Sequence, residues 1–296
     1  MQIVAIPTPT HLAFSDESQQ NIGRFRGLGI ITLPAEHLMP AQHEVSNLLA
    51  ESGVTEFKWS KLRTARDRFA AVRIIEWVVR RLGTIRIDAL TWDTKDSRHN
   101  VRSRDDQANF HRMYYHLFRN VLRTKWPVGA CWRLYPDEQD SVNWNGLDEY
   151  LYRASMSSRM LRNPESFKVM FQREFSILQL QPCCSHEYPL IQVADLFVGM
   201  AVFSRERFDR YREWFDENTG QEHLYRAKEK FTGGESEKCT VLYELEGIMK
   251  KHRMPISFRS SRGLRTRKQS HPLNFWNYEP QHEADKAPAK NIPQQK

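Results

Sequence analysis

Four acids stand where a folded core would not ordinarily place a charge. Asp16 ends the apolar run "HLAF" in "HLAFSDESQQ". Glu56 lies in "EFKWS", just before a long helical pattern. Asp93 ends "IRIDALTWD", and Asp195 sits inside "LIQVADLFVGM". Leu190, Ile191, Val193, Ala194, Leu196, Phe197 and Val198 surround Asp195 on nearly every side of its helix. Burying an unpaired carboxylate costs several kcal/mol or drives it to take up a proton. Gln192 shares the helix face of Asp195. Two readings are open for such an acid: a structural hydrogen-bond acceptor or arginine partner, or a metal ligand facing other acids.

Carboxylates that converge repel one another and stay ionised together only beside cations. Mg²⁺ or Mn²⁺ takes oxygen ligands and suits such a set. Two ions about 3.5–4 Å apart can activate water and steady the leaving oxygen of a phosphodiester. On this reading Asp16 bridges the ions, while Glu17 points to the opposite side of its strand. Asp93 is the choice for the remaining ligand, with Asp88 and Asp96 close by in sequence. Lys58, Lys61 and Arg63 flank Glu56; they are phosphate contacts or ordinary first-turn charges, and Lys58 is singled out by its place beside the acid. Trp59 reads as core. His111 and His116 are spaced poorly for one helix face, and Cys183, Cys184 and His186 are too crowded for tetrahedral zinc.

The elements that must position these residues follow from periodicity. "HLAF" and "FRGLGIITLP" predict two strands joined through "QQNIG". Residues 35–52 show only a weak helical period. Phe69, Val72, Ile75, Val79 and Leu82 predict a helix over about 60–82, stopped at Gly83. A strand over 84–93 and a polar loop follow. Phe110, Tyr114, Leu117, Phe118 and Leu122 predict a second helix over about 107–125. "WPVGACWRLYP" predicts a strand, "GLDEYLYRASMSSRML" a helix, "FKVMFQREFSILQL" one or two strands, and "YPLIQVADLFVGMAVF" a core helix. The alternation is α/β with a mixed sheet. There is no GxGxxG or GxxxxGK[ST] stretch to cradle phosphates.

The chain has 296 residues, 40% of them hydrophobic, and a net charge of +8. No apolar run is long enough to span a membrane, and the first residues carry no secretory pattern. Four cysteines without a CxxC pair suit a reduced, cytoplasmic protein. From Lys251 onward ten Lys or Arg stand against three Asp or Glu, so most of the excess charge lies there. Arg259, Arg262, Arg265, Arg267 and Lys268 make that block a candidate for contact with the nucleic-acid backbone, or else a solvated tail. Phe275, Trp276 and Tyr278 follow closely and could stack on bases or dock the tail.

"SDES", "EFKWSKL" and "LIQVADLFVG", in this order over residues 10–205, resemble domain-of-unknown-function family 3800. The resemblance implies a ribonuclease H-like α/β fold, with a mixed sheet flanked by helices. It gives Asp16, Glu56 and Asp195 the roles of metal-holding acids, and implies a setting near mobile elements and antiphage systems. Two departures stand out. Gln19 replaces the glycine after DES, and "CCSHEY" replaces an Asp-Ser-Lys element, keeping only Ser185, so His186 or Glu187 would have to substitute.

The resulting expectation is a ribonuclease H-like domain over 8–205, a helical extension over 206–254, and a basic, partly disordered tail over 255–296. The expected activity is Mg²⁺- or Mn²⁺-dependent hydrolysis of nucleic-acid phosphodiester bonds in the cytoplasm, with a protein partner or a second copy also allowed. The rival is a non-catalytic nucleic-acid- or protein-binding module of the same fold. A phosphoesterase acting on nucleotides is a third reading, which the basic block opposes.

Overall fold

The computed structural model describes residues 8–18, 23–96, 106–139, 142–156, 173–219 and 230–279. Residues 19–22 of the predicted "QQNIG" turn, His99, and most of the loop after Asp93 lie outside the described residues, as does the chain beyond Glu279.

Strands β1 (His11–Ser18), β2 (Phe25–Pro34) and β3 (Arg86–Asp93) form an antiparallel meander. β4 (Ala130–Pro136) then pairs parallel with β1, and β5 (Phe175–Leu180) parallel with β4. A last strand, β8 (Leu273–Asn277), pairs parallel with β3, giving the order β5-β4-β1-β2-β3-β8. β6 (Ile256–Ser257) and β7 (Arg265–Thr266) make a small separate ribbon.

Helices cover both faces. On one lie α1 (Leu38–Glu51), α2 (Ala65–Arg81), α5 (Pro189–Glu206), α6 (Phe208–Thr219) and α7 (Gly233–Lys251). On the other lie α3 (Asp106–Thr124) and α4 (Trp144–Met156). This is the mixed α/β sheet between helical layers that the alternation of elements predicts.

Period-two alternation assigns the β1 side chains. Leu12 and Phe14 join the core under α5, whereas Ala13 joins the core under α3. Asp16 therefore faces α5 and Glu17 faces α3. Every residue of α5 from Pro189 to Ser204 is buried, because the helix lies on the sheet beneath the outer helices. Glycines in β2 let it come close: a Cβ at Gly29 would run into the Ala194 carbonyl.

Three expectations differ from the structure. The predicted apolar stripe of the first long helix includes Phe69, yet Phe69 is exposed and the buried stripe is Ala70, Ala71, Ile74, Ile75 and Val78, with Trp77 beside it. The helix starts later than predicted, at Ala65, because Thr64 and Asp67 close a capping box there. Within the region read as a basic tail, Leu273–Asn277 form the edge strand β8. Its Leu273 and Phe275 are buried, and that burial outweighs the polarity of the flanks.

Candidate functional site

Two adjacent parallel strands end side by side. Ser15 of β1 pairs with Pro136 of β4, so Asp16 and Asp137 occupy the next positions on neighbouring strands. The Asp137 amide donates to the Ser15 carbonyl at 2.8 Å and holds the two ends in step. Phe14, Tyr135 and Tyr188 stack beneath them, with Phe14 and Tyr135 centroids 5.1 Å apart. The acids thus leave a rigid aromatic floor at the strand C-termini.

The third acid descends from α5. Asp195 accepts the Trp59 amide at 2.6 Å through Oδ2, and Gln192, one turn earlier, accepts the Phe57 amide at 2.8 Å through Oε1. The segment 56–59 is therefore held like an extra strand against the helix. Phe57 and Trp59 point into the core, while Glu56 and Lys58 alternate towards the acids. Gly199 completes the clamp, since a Cβ there would overlap the Trp59 ring. Gln192, Asp195 and Gly199 thus all act on one short segment.

Lys58 is the cation of the cluster. Its Nζ lies 3.2 Å from Asp137 Oδ2 and 3.9 Å from Glu56 Oε1. Ser185 ties the remaining members together: its Oγ donates to Glu56 Oε1 at 2.9 Å and its amide to Asp137 Oδ1 at 3.1 Å. Gln192 Nε2 in turn donates to the Ser185 carbonyl at 2.8 Å. Ser185 is the one residue kept from the Asp-Ser-Lys element, and it occupies a structural joint. His186 and Glu187 have no bond to the cluster among the described residues.

The electrostatics follow from crowding in a dry place. Asp16 is 4% and Asp195 7% exposed. Burial first, then Asp195, Glu17 and Asp137, hold the Asp16 carboxyl well above its ordinary pKa. Burial pushes Asp195 up to about 7, against the pull of the Trp59 amide and Lys58. Burial opposes the charge on Lys58, yet Asp16, Asp137 and Asp195 together outweigh it and raise its pKa. Glu17, on the opposite face, accepts from Tyr114 Oη at 2.8 Å and Gln139 Nε2 at 2.6 Å.

The sequence-predicted residues separate into two groups. Asp16, Glu56, Asp195 and Lys58 come together, whereas Asp93 does not. Gly29 of β2 pairs with Asp16 on one side and Ala89 on the other, so Asp93 lies four residues further along β3. That places it on the order of 13 Å beyond the cluster at ~3.3 Å per residue. There Arg24 grips Asp93 through Nε and Nη2. Asp88 is buried against Arg86, and Asp96 lies in the turn after β3. The residue that joins the cluster instead is Asp137, and its signal is the same as that of Asp16: "RLYPD", like "AFSD", is an acid at the end of an apolar strand. What selects β4 over β3 is sheet order, because β4 is the parallel neighbour of β1. Lys61 is exposed on the short turn that starts at Trp59. Arg259, Arg262, Arg265, Arg267 and Lys268 are exposed on the β6–β8 segment at the other edge of the sheet.

Among the described residues, no three His, Cys, Asp or Glu side chains already converge as a metal-ligand set. The donor chemistry nevertheless fits a hard divalent cation: Asp16, Asp137, Asp195 and Glu56 offer carboxylate oxygens only, offset by Lys58 and, at Asp195, by Lys238.

No helix among the described residues is long and apolar enough to cross a membrane. No family model matches the chain. The structure of the PCNA:RNase HII complex from Archaeoglobus fulgidus gives a TM-score of 0.40 at 13% identity, over 93% of this chain and 98% of that one. A likeness that faint carries no argument here. Sequence similarity is far stronger. The uncharacterized protein ORF2' of Methanothermobacter thermautotrophicus is 36% identical over 94% of this chain and 97% of its own length. The uncharacterized protein ORF2 of the same organism is 35% identical over the same shares. With more than a third of its residues shared along nearly the whole of both chains, the protein belongs to the ORF2/ORF2' family.

Proposed function

We propose that the protein is a divalent-metal-dependent nuclease that hydrolyses nucleic-acid phosphodiester bonds at the Asp16–Asp137–Asp195 cluster. One observation carries this reading: Asp16 and the half-buried Asp137 stand at the ends of adjacent parallel strands, the buried Asp195 faces them from α5, and Lys58 is the ammonium bonded among them. Such a site is short of positive charge, and a divalent cation would supply it. Bound there, Mg²⁺ or Mn²⁺ would furnish an activated water and charge to steady the leaving oxygen. Asp16 and Asp137 would hold it from the strand ends, with Asp195 above and Glu56 at the Lys58 side.

The chain's own groups have definable tasks. Lys58 keeps its proton and is placed to meet a phosphate oxygen beside the acids. Ser185 fixes the rotamers of Glu56 and Asp137. Asp195 positions Lys58 through the Trp59 amide and leaves its second oxygen for the site. An antiparallel meander with two parallel strands beside its first member supports a ribonuclease H-like assignment. The joint action of Gln192, Asp195 and Gly199 on the segment 56–59 supports treating the motifs shared with family 3800 as one unit. A cytoplasmic role near antiphage or mobile-element systems rests on that resemblance and belongs to the proposal.

The test is cleavage of end-labelled DNA and RNA in Mg²⁺, Mn²⁺ or EDTA by the wild type, Asp16→Ala and Asp195→Asn. The asparagine retains an acceptor for the Trp59 amide, so its loss of activity reports chemistry rather than unfolding. Metal-dependent cleavage lost in both variants supports the nuclease. The rival, a non-catalytic binding module, draws on the same geometry: Lys58 pairs with Asp137, and Asp195 is bonded to backbone, so the acids form a hydrogen-bonded cluster. No cleavage in any metal, with binding unchanged in both variants, would select it.

A further inference from the structure

A second polar region lies on the opposite face of the sheet, at its other edge. α3 and the β6–β8 segment enclose a cleft of about 1230 Å³. Arg112 and Arg119 line it from the helix; Arg262, Arg265 and Arg267 line it from the facing segment. Among the described residues Glu279 is the only acid on its walls. No carboxylate among the described residues pairs with Arg119, Arg262, Arg265 or Arg267, whereas Arg123, deeper along the helix, is bound to Glu174.

Helix geometry gives this charge a direction. Arg112, His116, Arg119 and Arg123 recur at steps of four, three and four residues, so they form one stripe about 16 Å long at ~1.5 Å per residue. Trp276 and Tyr278 stand beside the stripe on the facing wall, and Tyr278 Oη meets His116 Nε2 at 3.0 Å. A lone phosphate needs neither that length nor the aromatics. A run of phosphates carrying stackable bases uses both.

We propose that this cleft binds single-stranded nucleic acid through its backbone, as a site separate from the acid cluster. β2 and β3 lie between β8 and β1, and α3 and α5 cover opposite faces, so a strand seated here does not touch Asp16. The inference extends the reading of the protein as acting on nucleic acid, and it favours a polymer over a nucleotide as ligand.

The experiment is fluorescence anisotropy of the full chain in EDTA, with labelled single-stranded and duplex 20-mers of DNA and RNA, at 50–200 mM salt. Arg119→Ala/Arg265→Ala/Arg267→Ala should weaken single-strand binding at least tenfold and reduce the salt slope by about two, at ~0.7 per phosphate contact. The equally charge-depleted Arg66→Ala/Lys250→Ala/Lys251→Ala should change affinity less than threefold. Equal weakening by the two triple variants would overturn the cleft. So would tighter binding of duplex, or displacement by inorganic tripolyphosphate as effective as by oligonucleotide at equal phosphate concentration. Binding as expected without cleavage in any metal would remove the nuclease and leave the cleft; cleavage with unaltered binding in the first triple variant would do the reverse.

Discussion

Two buried carboxylate sites lie on the same sheet and are built on opposite principles. In β3, Asp88 is 1% exposed, yet both of its oxygens are occupied: Arg86 meets it through Nε at 2.6 Å and Nη2 at 2.9 Å, and Asn274 donates at 2.7 Å. Arg86 spends its other donors on the carbonyls of Gln269 and Ser270. Charge and hydrogen bonds both close. Where β1 and β4 end beneath α5, three acids crowd around Lys58, and two of them are held far above their ordinary pKa. Burial alone therefore does not mark a functional acid. The ratio of buried acids to the bases that face them does.

The contrast predicts opposite responses to mutation. Arg86→Ala should destabilise the protein by about 3–5 kcal/mol, since Asp88 is left buried and uncompensated. Asp16→Asn should leave stability in chelator unchanged or raised, because it removes repulsion. Urea melts of both variants check this, and equal losses would erase the distinction.

A cation should stabilise one site only. Mg²⁺ or Mn²⁺ at about one hundred times its Kd should add ~2.7 kcal/mol to the wild type, with no gain for Asp16→Asn. Thermal melts with and without chelator measure it. The same site sets a pH dependence. The Asp195 carboxyl rises from an ordinary 3.8 to about 7 in the folded protein, so the native state keeps a proton that the unfolded chain releases between those values. Stability in chelator should accordingly fall as pH rises through that window, and Asp195→Asn should flatten the fall.

Gly199→Ala tests the clamp that aims Lys58. In an exposed helix the change would stabilise. Here it should cost about 1–3 kcal/mol by overpacking against Trp59, with lowered cleavage in whatever molecules remain folded. The smallest effect belongs to the cap of α2. Thr64→Ala should cost about 1 kcal/mol in a urea melt without altering metal stabilisation, because its side chain bonds only within the capping box.

Much of this arrangement was legible in the residues. Alternation and helical spacing revealed the layers, and the bulk around Asp195 showed that its carboxylate had to be accounted for. That such reading reaches Asp93, with Asp88 and Asp96 beside it, and passes over Asp137 shows where it stops. Asp93 and Asp137 both end apolar strands, and no local feature says which strand lies beside β1. That is decided by crossover connections across tens of residues. The two roles of Asp195, as backbone acceptor and member of an acid cluster, were posed as alternatives, yet its two oxygens allow both. Charge density likewise found Arg262, Arg265 and Arg267 but not the opposing wall, because Arg112 and Arg119 meet them only once β8 docks.

That docking has a consequence for biosynthesis. The partners Asp88 and Asn274 are 186 residues apart, so β3 waits with an open edge, and Asp88 without its Asn274 donor, until the ribosome has released β8. Nascent or prematurely terminated chains would expose an unpaired ladder of amides and carbonyls beside Ala89 and Leu90, the kind of edge that recruits other polypeptides. Quality control on this protein should act late, and chaperone dependence should rise sharply for any chain that stops before Leu273.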